Sequence, residues 1–308
     1  LFAAHPYVLQ GLTKTMSVTP FMTFLYLGLL LFFILLLRES KKRTLLLLLT
    51  GVALGAATLT RPIGLFLPFI FGFLYIVLFR KGRWLERSLG AVAIISGALL
   101  TIAPWQAFNF MHGQKILLSS DRVHSMLDGV MFNNSLRKES IQLPEDVNAL
   151  ALRLSTSEVE SKGAFIGLVF EELKREPLPV IKLYAIKAAR SWYGAFAQQP
   201  SKELAKKIIS TFYLLLTLFG ILKINKTLYR SRIYLMTFFT VSLYFWGMTM
   251  LVVSMVRYMI PVFGLMCLFI PAIFSREKQP VLQNLASARV VENGRKKMNS
   301  GGENVSQF

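Results

Sequence analysis

Long apolar runs alternate with short basic clusters along this chain. Seven apolar segments stand out, at about 21–37, 45–60, 63–79, 88–105, 208–222, 233–253 and 259–274. A helix rises about 1.5 Å per residue and the hydrocarbon core of a bilayer is about 30 Å thick, so a span needs about 20 residues. The shorter segments therefore extend into their polar flanks. Backbone groups in lipid must satisfy one another, so the segments predict helices rather than strands of an open sheet. The expected fold class is an all-α polytopic membrane protein.

The basic clusters orient these spans. Arg38, Lys41, Lys42 and Arg43 follow the first segment, and Arg80, Lys81, Arg83 and Arg87 follow the third. Lys223, Lys226, Arg230 and Arg232 follow the fifth, and Arg276, Lys278, Arg289, Arg295, Lys296 and Lys297 follow the seventh. With seven spans all four clusters fall on one side, which the positive-inside rule makes cytoplasmic. The turn at 60–62, the stretch 106–207, the turn at 254–258 and Leu1–Pro20 then face outward. The expected location is the plasma (inner) membrane, with the active face extracytoplasmic and the C-terminal tail cytoplasmic.

Composition supports this class. Hydrophobic residues make up 54% of 308, only 17% are charged, and mean hydropathy is +0.51. The net charge of +19 would suggest nucleic acid in a soluble chain, but here the excess sits between apolar segments, so no nucleic-acid partner is expected. The lone Cys267 excludes a disulfide scaffold or a Cys-rich zinc site and reads as a small packing residue. The start, LFAAHPYV, lacks both Met and a basic n-region. It is not a signal peptide, and it reads as the interior of a longer protein.

The expected organisation is 1–105 with four spans, 106–207 as an extracytoplasmic region, 208–274 with three spans, and 275–308 as a disordered cytoplasmic tail. The region 106–207 holds 11 of the 16 acidic residues and 14 Lys/Arg, which suits a small helical external domain. Within it, residues 177–196 place apolar side chains at 181, 184, 188 and 192, with Lys182, Lys187 and Arg190 on another side. That pattern predicts a helix in the membrane interface, with Trp192 and Tyr193 at headgroup depth, or else a solvated helix packed on its own domain. Gly51 and Gly55 form a GxxxG that predicts close approach of a neighbouring helix.

Two arginines stand in outward turns between spans, Arg61 in LTRP and Arg257 in MVRYMIP, each followed closely by proline. Either alone is also an ordinary turn residue. Together, two guanidinium forks suit the bidentate grip of a phosphate, and a lipid phosphate is the natural ligand at that surface. Asp and Glu are missing from all seven apolar segments, which argues against a proton-coupled transporter. Asp121 and Asp128 follow the exit at Trp105 and are weak candidates for a base, since external loops also carry acids for solubility. His5, His112 and His124 all fall outside. Asn133-Asn134-Ser135 matches a glycosylation sequon by pattern only. No metal-binding or Gly-rich phosphate motif is present, and no cofactor is expected.

These residues resemble a known family. LLLLLTGVALGAATLTRPIGLFLPFIF, TIAPWQAFNFMHGQKILLSS, IKLYAIKAARSWYGAF and MVRYMIPVFGLMCLF resemble, in order, segments of the protein O-mannosyltransferases and bacterial aminoarabinose-type transferases, membrane glycosyltransferases of GT-C fold. The resemblance touches segments from about residue 5 to 274. It implies a GT-C-like transmembrane helix bundle with a small extracytoplasmic helical domain. It further implies transfer of a sugar from a polyprenyl-phosphate donor to an extracytoplasmic glycan, lipid or protein. Arg61, Arg257 and Tyr258 would hold the lipid phosphate, with Asn109 at the membrane exit and His5 as a weaker candidate. The family's catalytic aspartate, in an external loop upstream of LTRP, has no match here. Ser17 is followed by Val18, where an acid is usual, and Phe108 replaces an arginine before Asn109. The expectation is therefore a C-terminal portion of an enzyme or a divergent relative, with the catalytic residue unassigned. The rival readings are an O-antigen ligase or polymerase and a transporter of polyprenyl-linked glycans.

Overall fold

The computed structural model describes residues 17–38, 42–79, 83–113, 126, 129–130, 143–157, 159, 161–192, 200–224, 229–252 and 258–274. The expectations placed on Tyr193, the 133–135 sequon and the 275–308 tail lie outside these residues.

Every element among them is helical. Helix α1 spans Val18–Leu37, with Pro20 in its first turn where a missing N–H costs nothing. It ends at Arg38, in extended conformation. Helix α2, Arg43–Thr60, stops at Arg61 because the following Pro62 pushes its neighbour out of the helical region. Arg61 accordingly sits at φ −149°, ψ 123°. A 3₁₀ turn, Pro62–Gly64, leads to the short helix α3, Leu67–Leu78. Helix α4, Trp84–Met111, runs unbroken past Pro104 and Trp105, beyond the expected exit at 105.

Helices α5 (Glu145–Thr156), α6 (Lys162–Arg175) and α7 (Pro177–Arg190) form a small unit. Helix α8 (Pro200–Lys223) and helix α9 (Tyr229–Leu251) follow. The last apolar segment is two short helices, α10 (Ile260–Met266) and α11 (Ile270–Phe274), divided by a turn at 267–269 ahead of Pro271. Cys267 is half-buried in that turn.

Among the described residues four helices are long and apolar enough to cross a membrane: α1, α2, α4 and the Ser231–Leu251 part of α9. Of the other three expected spans, the third is a shorter apolar piece, Pro62–Leu78, the fifth lies within α8, and the seventh is broken. Prolines account for the breaks at 61–67 and near 270: Pro62 holds Arg61 in extended conformation, and neither Pro62 nor Pro271 has an N–H to donate.

The bundle core joins α1, α2, α3, α9 and α10 through Phe21, Phe32, Leu54, Phe71, Phe245 and Phe263. Its outside is apolar too, with Leu30, Phe73, Leu100, Phe219 and Leu243 exposed. A surface of that kind needs a hydrocarbon solvent. Between α2 and α4 the backbones nearly touch. A methyl group at Gly51 would overlap the carbonyl oxygen of Ile94, and one at Gly55 would lie 2.7 Å from that of Ala98. The GxxxG face thus seats a helix of the same chain, as the sequence suggests.

The small unit has its own core of Val147, Leu150, Leu154, Phe165, Val180 and Leu183. Ser161 Oγ accepts the Ala164 N–H at 3.1 Å and caps α6. Arg153 pairs with Glu172 at 3.1 Å and Glu176 at 2.9 Å, and Lys182 with Asp146 at 2.7 Å. The buried face of α7 corrects the sequence reading. Val180, Leu183 and Lys187 point inward, whereas Ile181 is exposed. Lys187 leaves the expected basic side because α7 packs against α9 as well as against its own unit.

Candidate functional site

One end of the bundle gathers the chemistry. Arg61 is half-buried where α2 gives way to the Pro62–Gly64 turn. Its Nε donates to Ser17 Oγ at 3.1 Å, just ahead of α1. Its guanidinium carbon lies 5.6 Å from the centre of the Tyr258 ring, at the entry to α10. Two residues far apart in sequence therefore meet, and the turn at 60–62 shares a surface with residue 258. A guanidinium near an aromatic face is attracted by the ring quadrupole.

Two tyrosine hydroxyls fix the turns that carry these side chains. Tyr244 on α9 donates its hydroxyl hydrogen to the Ile63 carbonyl, two residues beyond Arg61. Tyr26 on α1 donates to the Pro261 carbonyl at 3.1 Å, three residues beyond Tyr258. A carbonyl left without a donor in an apolar setting is costly. The tyrosines meet that need and set the two turns against the same bundle. Gly64 packs on Thr58, whose hydroxyl donates back to the Leu54 carbonyl at 2.9 Å.

Helix α7 closes over the same end of α9. Lys187 is 0% exposed, and its ammonium donates to the Val252 carbonyl at 3.1 Å, at the C-terminal end of α9. Trp246 Nε1 donates to the Ala188 carbonyl at 3.1 Å, and Trp192 stands edge-on to Phe263, 6.1 Å between ring centres. Burial pushes the Lys187 amine down to about 7.

Of the residues singled out in the sequence, Arg61 and Tyr258 come together. Asn109 is buried on α4. Arg257, Asp121, Asp128, His5 and His124 lie outside the described residues. His112 ends α4, exposed, with Nδ1 2.8 Å from the Phe108 carbonyl. Among the described residues no group of His, Cys, Asp or Glu gathers to hold a metal ion.

Sequence reasoning missed Ser17, Tyr26, Tyr244 and Lys187. The tyrosines did carry a signal, since a phenol inside an apolar span needs a partner. Lys187 carried none, because its helical position matched the polar side.

No family model matches the chain, and neither a curated protein nor a solved structure does.

Proposed function

We propose that this chain belongs to a membrane glycosyltransferase that moves a sugar from a polyprenyl-phosphate donor to an acceptor glycan, lipid or protein. The bundle is taken as GT-C-like, set in the plasma (inner) membrane, with the α5–α7 unit and the Arg61 end on the extracytoplasmic side. The contact between Arg61 and Tyr258 carries this reading. Two turns can grip one lipid phosphate only if they share a surface, and the nearness of Arg61 to Tyr258 supports this.

In the reaction the acceptor oxygen attacks the anomeric carbon. The bond from that carbon to the phosphate oxygen breaks, and negative charge stays on the departing polyprenyl phosphate. Arg61, and Arg257 beside Tyr258, would meet that charge as it develops, which lowers the barrier as well as aiding binding. A carboxylate must take the acceptor proton, and Asp121 and Asp128 remain the candidates in this chain. The test is Arg61→Ala with Arg257→Ala in the intact protein, following sugar transfer from polyprenyl-phosphate sugars in membranes. Loss of transfer with normal membrane insertion is expected, and unchanged turnover overturns the proposal.

The breaks at 61–67 and 267–269 favour a second reading, a transporter of polyprenyl-linked glycans, because transporters place sites at interrupted helices. Movement of intact lipid-linked sugar across vesicles without cleavage would select it.

A further inference from the structure

The α5–α7 unit carries an open apolar groove that sugar transfer does not use. Its cavity of about 320 Å³ is lined by Phe165, Val169, Leu173, Val180, Ile181 and Leu251, among others. Phe170 and Ile181 at its edge are 59% and 60% exposed. In water such a surface would be strongly disfavoured.

The groove adjoins a second feature. Phe239, Leu243, Gly247 and Leu251 recur every fourth residue on α9, so they form one stripe along the helix. Phe239, Leu243 and Leu251 are exposed, and a side chain added at Gly247 would meet nothing within 4 Å. At 1.5 Å per residue the stripe is roughly 18 Å long. Leu251 belongs to both features: it ends a membrane-spanning candidate and lines the groove. The Lys187–Val252 and Trp246–Ala188 hydrogen bonds hold α7 against that end. Exposed Lys174 and Arg175 stand where α6 turns into α7, beside the groove residues Leu173 and Val180, together with Glu171, Glu172 and Glu176.

We infer that the groove and the α9 stripe seat one acyl chain of a membrane phospholipid. The headgroup lies toward the α6–α7 turn, where charges of both signs stand, and the chain passes through the groove and down α9 across the notch at Gly247. Continuity of the groove with a span end selects lipid over a soluble ligand, and the mixed charges of the turn suit a zwitterionic headgroup. The inference stands independently of the transferase reading.

The test reconstitutes the full chain in phosphatidylcholine and phosphatidylglycerol vesicles containing a phosphatidylcholine with a diazirine on its acyl chain. Adducts are mapped after illumination. They are expected on α6, α7 and 247–251. Ile181→Asp should cut them by about fivefold or more, as expected for losing a methylene or two of burial. Gly247→Trp should do the same by filling the notch, where an added Cβ meets nothing within 4 Å, while adducts on α4 persist. Groove adducts unchanged in both variants overturn the inference. So does displacement of the adducts by a long-chain polyprenyl phosphate but not by phosphatidylcholine. So does a water-soluble maleimide that, with Cys267→Ala as background, modifies Ile181→Cys as fast as Glu171→Cys.

Discussion

The contact between α2 and α4 and the contact between α7 and α9 join helices by opposite means. The first removes side chains: Gly51, Gly55 and Gly97 let backbone lie on backbone. The second uses the longest side chains available, with Lys187, Trp192 and Trp246 reaching across to carbonyls and rings. Helices in lipid gain little from apolar burial, so close van der Waals approach holds the bundle together. The α5–α7 unit instead docks through directional bonds at the end of α9. Its seat is therefore adjustable and sensitive to charge, whereas the bundle is not.

The largest effect should come from filling the first contact. Gly51→Leu forces α2 and α4 apart and should cost about 3 kcal/mol or more, read as a lower thermal midpoint in detergent. Second, Lys187→Ala leaves a void and should cost about 2 kcal/mol, detected as faster proteolysis around α7, with Gly51–Ile94 packing undisturbed.

The same lysine gives the seat a pH dependence. When docked its amine titrates near 7, against about 10.4 when released into water. Between those values the released state holds one more proton, so docking strengthens as pH rises from 7 toward 10 and is flat below 7. Protection of α7 from protease should follow that course, and Lys187→Met should abolish the difference between pH 6 and pH 9. An unchanged pH response in Lys187→Met would remove this explanation.

Smaller still, Tyr244→Phe strands the Ile63 carbonyl and should cost about 1 kcal/mol. On the proposed transferase reading it should mimic a mild Arg61 defect in transfer assays, because it loosens the turn that carries that side chain. The smallest effect belongs to Asp146→Asn. The hydrogen bond from Lys182 holds the Asp146 carboxyl below its ordinary range, yet both partners are solvent-exposed. The pair should add nothing measurable at neutral pH in salt, and whatever it adds should vanish as pH falls below the carboxylate range.

Much of the bundle was readable in the sequence because it rests on local signals. Apolar run lengths located α1, α2, α4 and α9, the glycine spacing located the α2–α4 seat, and prolines marked the turns at 61 and 258. What escaped depends on tertiary placement. Prolines break the last apolar segment into α10 and α11. The inward face of α7 is set by two partners at once, which no periodicity encodes. The nearness of Arg61 and Tyr258 follows an expectation drawn from the family resemblance and from loop topology, whereas Ser17 and the two tyrosine supports come from packing between distant segments.

The most direct measurement places single cysteines at Pro62 and, separately, at Tyr258, with Cys267 replaced by alanine, in sealed right-side-out vesicles. A membrane-impermeant thiol reagent added outside should modify both positions. Modification of one from outside and the other only from inside would mean that no single lipid phosphate is held between them.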